Sequence, residues 1–298
     1  MLKRQLEKQL GKGNRSMRIG IVGLGLIGGS LGLDLRALGY PVVGVSQRPT
    51  TCEQAIARGA VDQASPDPRL LANVDVVFLC TPLAAMETVA RQLCPHLHPE
   101  AIVTDVGSVK APIVQALTPL WPNFVGGHPM SGTAEQGIEA ALTGLFMGNA
   151  YVLTPTPVTP GAAVDVVAGL ARALGSKVYH CTPEVHDRAV AWISHLPVMV
   201  SSSLIAACAH EADAAVLEMA RKLASSGFRD TSRVGGGNPE LGVMMARYNR
   251  EALLTALLQY RDRLESVIAY LEREDWTSLA AHLQATQRQR PTFEFDPP

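Results

Sequence analysis

From Met17 onward the chain alternates short β-branched, apolar runs with longer stretches of helical periodicity. That alternation predicts a parallel sheet with crossover helices. Strands are expected at residues 18–22, 41–45, 74–80, 101–105 and 123–126, with two more at 150–153 and 177–180. Helices are expected at 26–38, at 51–58 with a stop at Gly59, and at 161–174. Beyond Thr182 the strand signals fade and alanine and leucine dominate. Residues 185–209 and 212–224 read as helices, and 239–271 as one long helix or two abutting ones. Leu253, Leu257, Leu264, Ile268 and Leu271 recur at helical spacing and mark one apolar face, most of it expected to be core.

The patterning divides the chain into a polar leader (1–16), an α/β sheet domain (17–181) and an all-α domain (182–298) whose tail from Arg290 has no periodicity. The length of 298 residues and 47% hydrophobic composition suit two such domains. The leader, with five positive charges and one negative before a second methionine, reads as a tag or upstream start outside the fold. A net charge of -1 without dense charged blocks gives no support for nucleic-acid binding or a polybasic membrane patch, so small-molecule partners are expected. Five cysteines without a CxxC pair or a histidine cluster point to a reduced, cytoplasmic protein without a structural metal. The longest apolar stretch, 190–209, is broken by His195, Pro197 and the serines at 201–203, and no secretory segment opens the chain. Neither export nor membrane insertion is indicated.

The first strand runs into Gly23-Leu24-Gly25-Leu26-Ile27-Gly28, a GxGxxG turn that opens a helix. This context gives the pattern its mechanics. Gly23 permits the tight turn, Gly25 lets backbone approach a pyrophosphate, and Gly28 allows helix and strand to pack closely. The phosphates would rest on the N–H groups of the helix N-terminus, beside Leu26 and Ile27. A Rossmann-type dinucleotide-binding domain is the expectation. About 20 residues beyond such a motif an NAD enzyme usually places an acid on the ribose 2'-hydroxyl. Here the stretch reads Ser46-Gln47-Arg48-Pro49-Thr50-Thr51, with no acid. Ser46 and Arg48, with Thr51 as a weaker candidate, suit a 2'-phosphate, which predicts NADP. Thr81 and Pro82 follow the next strand at the same sheet edge and are cofactor-side candidates by position.

Ligands in open parallel sheets gather beyond the carboxyl ends of strands. Asp105-Val106-Gly107-Ser108-Val109-Lys110 and Gly126-Gly127-His128-Pro129-Met130-Ser131-Gly132 follow two such strands. An imidazole, with an ordinary pKa of roughly 6.5, accepts a proton near neutrality, and a residue before proline is held in extended geometry. His128, beside Ser108, is therefore the candidate base, although most loop histidines are only solvated polar residues.

With these stretches, His195-Leu196-Pro197 and Gly227-Phe228-Arg229-Asp230-Thr231-Ser232-Arg233, the chain resembles the prephenate and arogenate dehydrogenase family of tyrosine biosynthesis. Serine and arginine after the second strand look most like its cyanobacterial NADP-dependent arogenate dehydrogenases. The resemblance implies oxidative decarboxylation of a cyclohexadienol. His128 would accept the proton of the ring hydroxyl, Ser108 would orient that hydroxyl, and Arg233 would hold a substrate carboxylate. For His195 it implies a substrate-facing or interdomain role, against a satisfied core histidine at a proline kink. A small helical domain with such an apolar face beside a nucleotide-binding domain often buries it against a second copy, so a C-terminal dimerisation domain and a homodimer are expected. Where many members carry a tryptophan and then an acid, this chain has Gly235 to Met244 without an aromatic, which counts against transferring prephenate specificity and is compatible with arogenate as substrate. The alternatives are a prephenate dehydrogenase, a β-hydroxyacid dehydrogenase or imine reductase, and an NADP-binding sensor without catalysis.

Overall fold

The computed structural model describes residues 16–133 and 135–293. The leader therefore lies outside the described residues except for Ser16, as does the tail after Phe293. The chain forms two compact units, one ending at Asp187 and the other beginning at Arg188.

The first unit is an eight-stranded sheet covered by helices. Its strands are β1 (Ile19–Val22), β2 (Val42–Val45), β3 (Gln63–Ser65), β4 (Val76–Leu79), β5 (Ile102–Asp105), β6 (Phe124–Pro129), β7 (Ala150–Thr154) and β8 (Lys177–His180). Their order across the sheet is β3-β2-β1-β4-β5-β6-β7-β8. Strands β1, β2, β4 and β5 are buried along their whole length, and β1, β2 and β4 accordingly read as unbroken apolar runs. The crossovers carry α1 (Leu26–Ala37), α2 (Pro49–Ala57), α3 (Leu83–Leu93), α4 (Ala111–Leu117) and α5 (Gly161–Ala173). Ile19, Ile21, Leu31, Leu35, Val76, Phe78, Tyr151 and Val167 belong to one continuous core between sheet and helices.

Two expectations need correction here. The sheet is mostly, not wholly, parallel: β7 runs antiparallel to β6. β6 also does not end at Gly126. It pairs with β5 only at Phe124 and Val125 and then continues along β7, so His128 stands opposite Val152 inside a strand rather than in a loop.

The second unit is helical. It follows α6 (Pro183–Val190), whose first turns belong to the sheet unit, and comprises α7 (Leu196–Ala209), α8 (Ala214–Leu223), α9 (Ser226–Ser232), α10 (Pro239–Tyr248), α11 (Arg250–Glu272) and α12 (Trp276–Gln289). The helix expected over 185–209 is divided by a π turn at Ala191–His195. Pro197, at the start of α7, cannot donate a backbone hydrogen bond, and the widened turn rearranges the ladder just before it. By length and composition alone Pro183–Ala209 is apolar enough to cross a bilayer. Its ladder is interrupted at the π turn and Asp187 within it is buried, while 28% of its most apolar window is buried inside the chain. The 239–271 run is two helices abutting at Asn249. Leu253 and Ala256 pack with Leu196, and Leu257 lies against them, as expected of a core face. Leu264, Ile268 and Leu271 are about half exposed, so the far end of that face is not core within the chain.

Candidate active site

The carboxyl edge of β1 is shaped to receive an anion. Gly23 has φ +95°, and a Cβ there would stand 2.6 Å from the Cys80 carbonyl oxygen. A Cβ on Gly28 would collide with the Gly23 carbonyl, whereas Gly25 faces open space. The turn is thus closed where helix meets strand and open where a ligand would approach. Gly25 caps α1 without a side-chain hydrogen bond, and no acid occupies the first turn. The N–H groups around Leu26, Ile27 and Gly28 and the helix dipole suit a pyrophosphate. These residues fit a dinucleotide. Thr81 and Pro82 follow β4, next in the sheet; Pro82 caps α3, and the Thr81 hydroxyl is buried without a protein partner.

At the end of β2, Ser46 is half-buried, Gln47 and Arg48 are exposed, and Thr51 is half-buried in the first turn of α2. Arg48 caps that helix through its backbone, Pro49 starts it, and its first turn holds no acid. No acid in that first turn stands to repel a phosphate. The Cys52 thiol, pushed up first by burial, contacts the Ser46 carbonyl at 3.5 Å.

Between β5 and β6 a buried ion pair organises the edge. Lys110 Nζ donates to Asp105 and to the carbonyl of Gly127, the latter at 2.6 Å. The Asp105 carboxylate accepts from Gly107 N–H at 2.8 Å and from Gly127 N–H at 3.1 Å. Both charged side chains are fully buried. Burial pushes the Lys110 ammonium below the ordinary lysine range, while Asp105 and, more weakly, Asp187 oppose that shift. The backbone on either side of Ser108 and immediately before His128 is thus pinned from one point. Ser108 is half-buried, and no hydrogen bond from its hydroxyl to protein occurs among the described residues. His128 is buried, with Nδ1 2.8 Å from Nε2 of His186. His186 Nδ1 lies 2.8 Å from Asp187 Oδ1. His186 and Asp187 carry no motif, and only the fold brings them to this edge from 58 residues away.

In the helical unit His195 lies in the π turn, buried, and Asn249 donates to its Nδ1 at 3.1 Å. Arg233 is exposed at the head of a 3-10 turn, Arg233–Gly236. That turn is seated closely, since a Cβ on Gly235 would strike the backbone of Ser201 and Ser202. Ser201 Oγ donates to the Thr231 carbonyl just upstream. Arg229 pairs with Asp230 at 3.0 Å, while no acid pairs with Arg233 among the described residues. In the glycine-rich stretch that follows, the Asn238 side chain caps α10.

A glycine turn opening a helix on such a sheet, with a buried histidine at the carboxyl edge and a helical unit following in the chain, defines a dehydrogenase that uses a nicotinamide dinucleotide. Residues 31–180 match the nucleotide-binding domain of prephenate dehydrogenase, and residues 182–285 match its dimerization domain. The chain belongs to the prephenate and arogenate dehydrogenase family. It is 31% identical over 93% of its length to the cyclohexadienyl dehydrogenase of Zymomonas mobilis, covering 96% of that protein. Among solved structures, Synechocystis arogenate dehydrogenase is 51% identical, with a TM-score of 0.86 over 93% of this chain and all of that one (100%). Prephenate dehydrogenase from A. aeolicus, in complex with hydroxyphenyl propionate and NAD+, is 28% identical, with a TM-score of 0.87 over 94% of this chain and 99% of that one.

Proposed function

We propose that the protein converts arogenate to tyrosine by oxidative decarboxylation with NADP. The observation that carries this reading is the sheet order. It sets the turn at Gly23–Gly28, Ser108 and His128 at one edge, after β1, after β5 and on β6, where a nicotinamide and the ring it oxidises would meet. When bound, the nicotinamide accepts the hydride that leaves the carbinol carbon of the cyclohexadienol ring. His128 accepts the proton of the hydroxyl on that carbon, and Ser108 orients the hydroxyl toward it. Loss of carbon dioxide then leaves its electron pair in the newly aromatic ring, and the phenolate oxygen recovers a proton from the imidazolium. Arg233, without an acidic partner among the described residues, would hold a substrate carboxylate in a bidentate pair, a role the family resemblance suggests. His195 is assigned to the substrate side on the same ground, and its bond to Asn249 would fix its ring.

Two features favour the finer choices. Ser46 and Arg48, with no acid in the adjoining first turn, favour the 2'-phosphate of NADP. The 51% identity to Synechocystis arogenate dehydrogenase and the stretch from Gly235 to Met244 without an aromatic favour arogenate. Absorbance at 340 nm with arogenate or prephenate, each with NADP or NAD, tests both choices. Arogenate with NADP is expected to give the highest kcat/KM. Comparable efficiency with NAD would overturn the cofactor assignment, and preference for prephenate would overturn the substrate.

The protein is further proposed to be a homodimer through its helical unit. The matched family domain is a dimerization domain, and Leu254, Leu258, Leu264, Ile268 and Leu271 form an apolar stripe on α11 that the described residues leave about half exposed. Sedimentation is expected to show twice the chain mass of 31.8 kDa at micromolar concentration, and a monomer would remove the proposal.

A further inference from the structure

His128 is the first of three side chains in line. Its ring meets that of His186 edge to face, with centroids 5.1 Å apart and planes at 70°, so that a nitrogen of one ring is aimed at a nitrogen of the other. His186 in turn meets Asp187. All three are buried. Asp187 is held independently of the histidines: Oδ1 accepts from Lys110 N–H at 2.7 Å and Oδ2 from Ala111 N–H at 2.8 Å, at the start of α4. The carboxylate therefore has a fixed orientation, which it imposes on His186.

The donor and acceptor rules then assign the protons. A carboxylate only accepts, so His186 carries its hydrogen on Nδ1 and, when neutral, its lone pair on Nε2. Nδ1 of His128 must donate to that lone pair. The proton-accepting lone pair of His128 is therefore on Nε2, at the far corner of the ring. We infer that His186 and Asp187 are positioning residues for His128, fixing the tautomer in which Nε2 is the base and stabilising the imidazolium formed when it takes a proton. The inference rests on the role proposed above for His128.

The neighbouring charges are consistent with this. The Lys110 ammonium is committed to Asp105 and the Gly127 carbonyl, on the backbone side of His128. The Cys181 thiol is pushed up by burial and next by Asp187, so it stays neutral. Asp187 is then the negative charge in direct contact with His186. When the proton arrives at Nε2 of His128, the imidazolium keeps its Nδ1–H bond to His186, whose own Nδ1–H stays on the carboxylate. No atom has to move, which is the condition for preorganised stabilisation of a developing charge.

Replacing Asp187 disturbs the cap of α4, so the leading variants are at His186. His186→Leu removes the acceptor and leaves Asp187 on α4, whereas His186→Gln supplies an amide that can accept from His128 and donate to Asp187. His186→Leu is expected to lower kcat about 100-fold with cofactor KM changed less than twofold, and His186→Gln to restore kcat to within about tenfold of wild type. In Asp187→Asn the acid limb of kcat should move to lower pH by about one unit, because the imidazolium loses the anion that stabilises it. A purely structural role would lower the melting temperature of His186→Leu and His186→Gln alike and leave the acid limb in place. That result would overturn the inference. A readout independent of turnover is the nitrogen-15 spectrum of histidine-labelled wild-type protein, in which His128 is expected as the Nδ1–H tautomer. Finding Nε2–H there would overturn the inference whatever the enzyme's substrate. Finding Nδ1–H in a protein that oxidises neither arogenate nor prephenate would defeat the proposed reaction while supporting the positioning.

Discussion

His128→Asn is expected to lower kcat about 100- to 10,000-fold, the usual range for loss of general-base assistance, with cofactor affinity changed less than about twofold. Asparagine places its amide roughly where Nδ1 stands, so a polar contact to His186 can survive. It has no counterpart of Nε2, and that is the atom argued to take the proton. Position 128 lies opposite Val152 in the β6–β7 pair, and the ladder is made by backbone, so the strand does not depend on the imidazole. The loss should therefore appear in kcat with little change in stability. Steady-state rates together with cofactor titration by fluorescence separate these quantities, and wild-type turnover in the variant would end the assignment of His128 as base.

Asp105→Ala is expected to lower the unfolding free energy by about 3–5 kcal/mol, because it leaves the Lys110 ammonium buried without a counter-charge. It also removes the acceptor for two backbone N–H groups, those of Gly107 and Gly127. Activity should fall as well, since Ser108 and His128 directly follow those glycines. The double variant Asp105→Ala/Lys110→Met separates charge from geometry. An apolar pair of similar volume in place of a buried ion pair is often neutral in stability, so the double variant should recover at least half of the lost stability but not the activity. Denaturant unfolding and the 340 nm assay measure the two effects. An equal loss of stability in the single and double variants would show that the backbone hydrogen bonds, not the stranded ammonium, carry the cost.

Much of the sheet unit could be read from the chain because its central strands are buried on both faces, so β1, β2 and β4 appear as runs such as Ile19-Gly20-Ile21-Val22 and Val76-Val77-Phe78-Leu79. The glycine turn was legible because the φ of +95° at Gly23 and the approach of Gly28 to the Gly23 carbonyl are local to the turn, although Gly23 also abuts the distant Cys80 carbonyl. Local signals misled at Gly126 to Pro129. Two glycines and a proline look like a loop, yet β7 arrives antiparallel from 22 residues further on and extends the strand. A distant partner of this kind leaves no trace in local periodicity. The same holds for His186 and Asp187, whose spacing from His128 follows no motif. Lys110 was visible within the Asp105 to Lys110 stretch, but its burial against Asp105 was not, because a lysine after a strand usually points to solvent. In the helical unit, periodicity along α11 identified an apolar face without distinguishing the part that meets Leu196 from the part that stays about half exposed.

Asp187 closes the sheet unit, six positions beyond Cys181, where composition changes character. That offset sets a practical limit on dissecting the protein. A fragment truncated at Cys181 would retain every strand and the glycine turn, yet it would lack the partner of His128 and uncap the start of α4. A fragment carried through Val190 would keep both. The shorter piece could still bind nucleotide while its histidine lacks the His186 contact, so nucleotide binding by an excised fragment would be a poor measure of whether its active edge is whole.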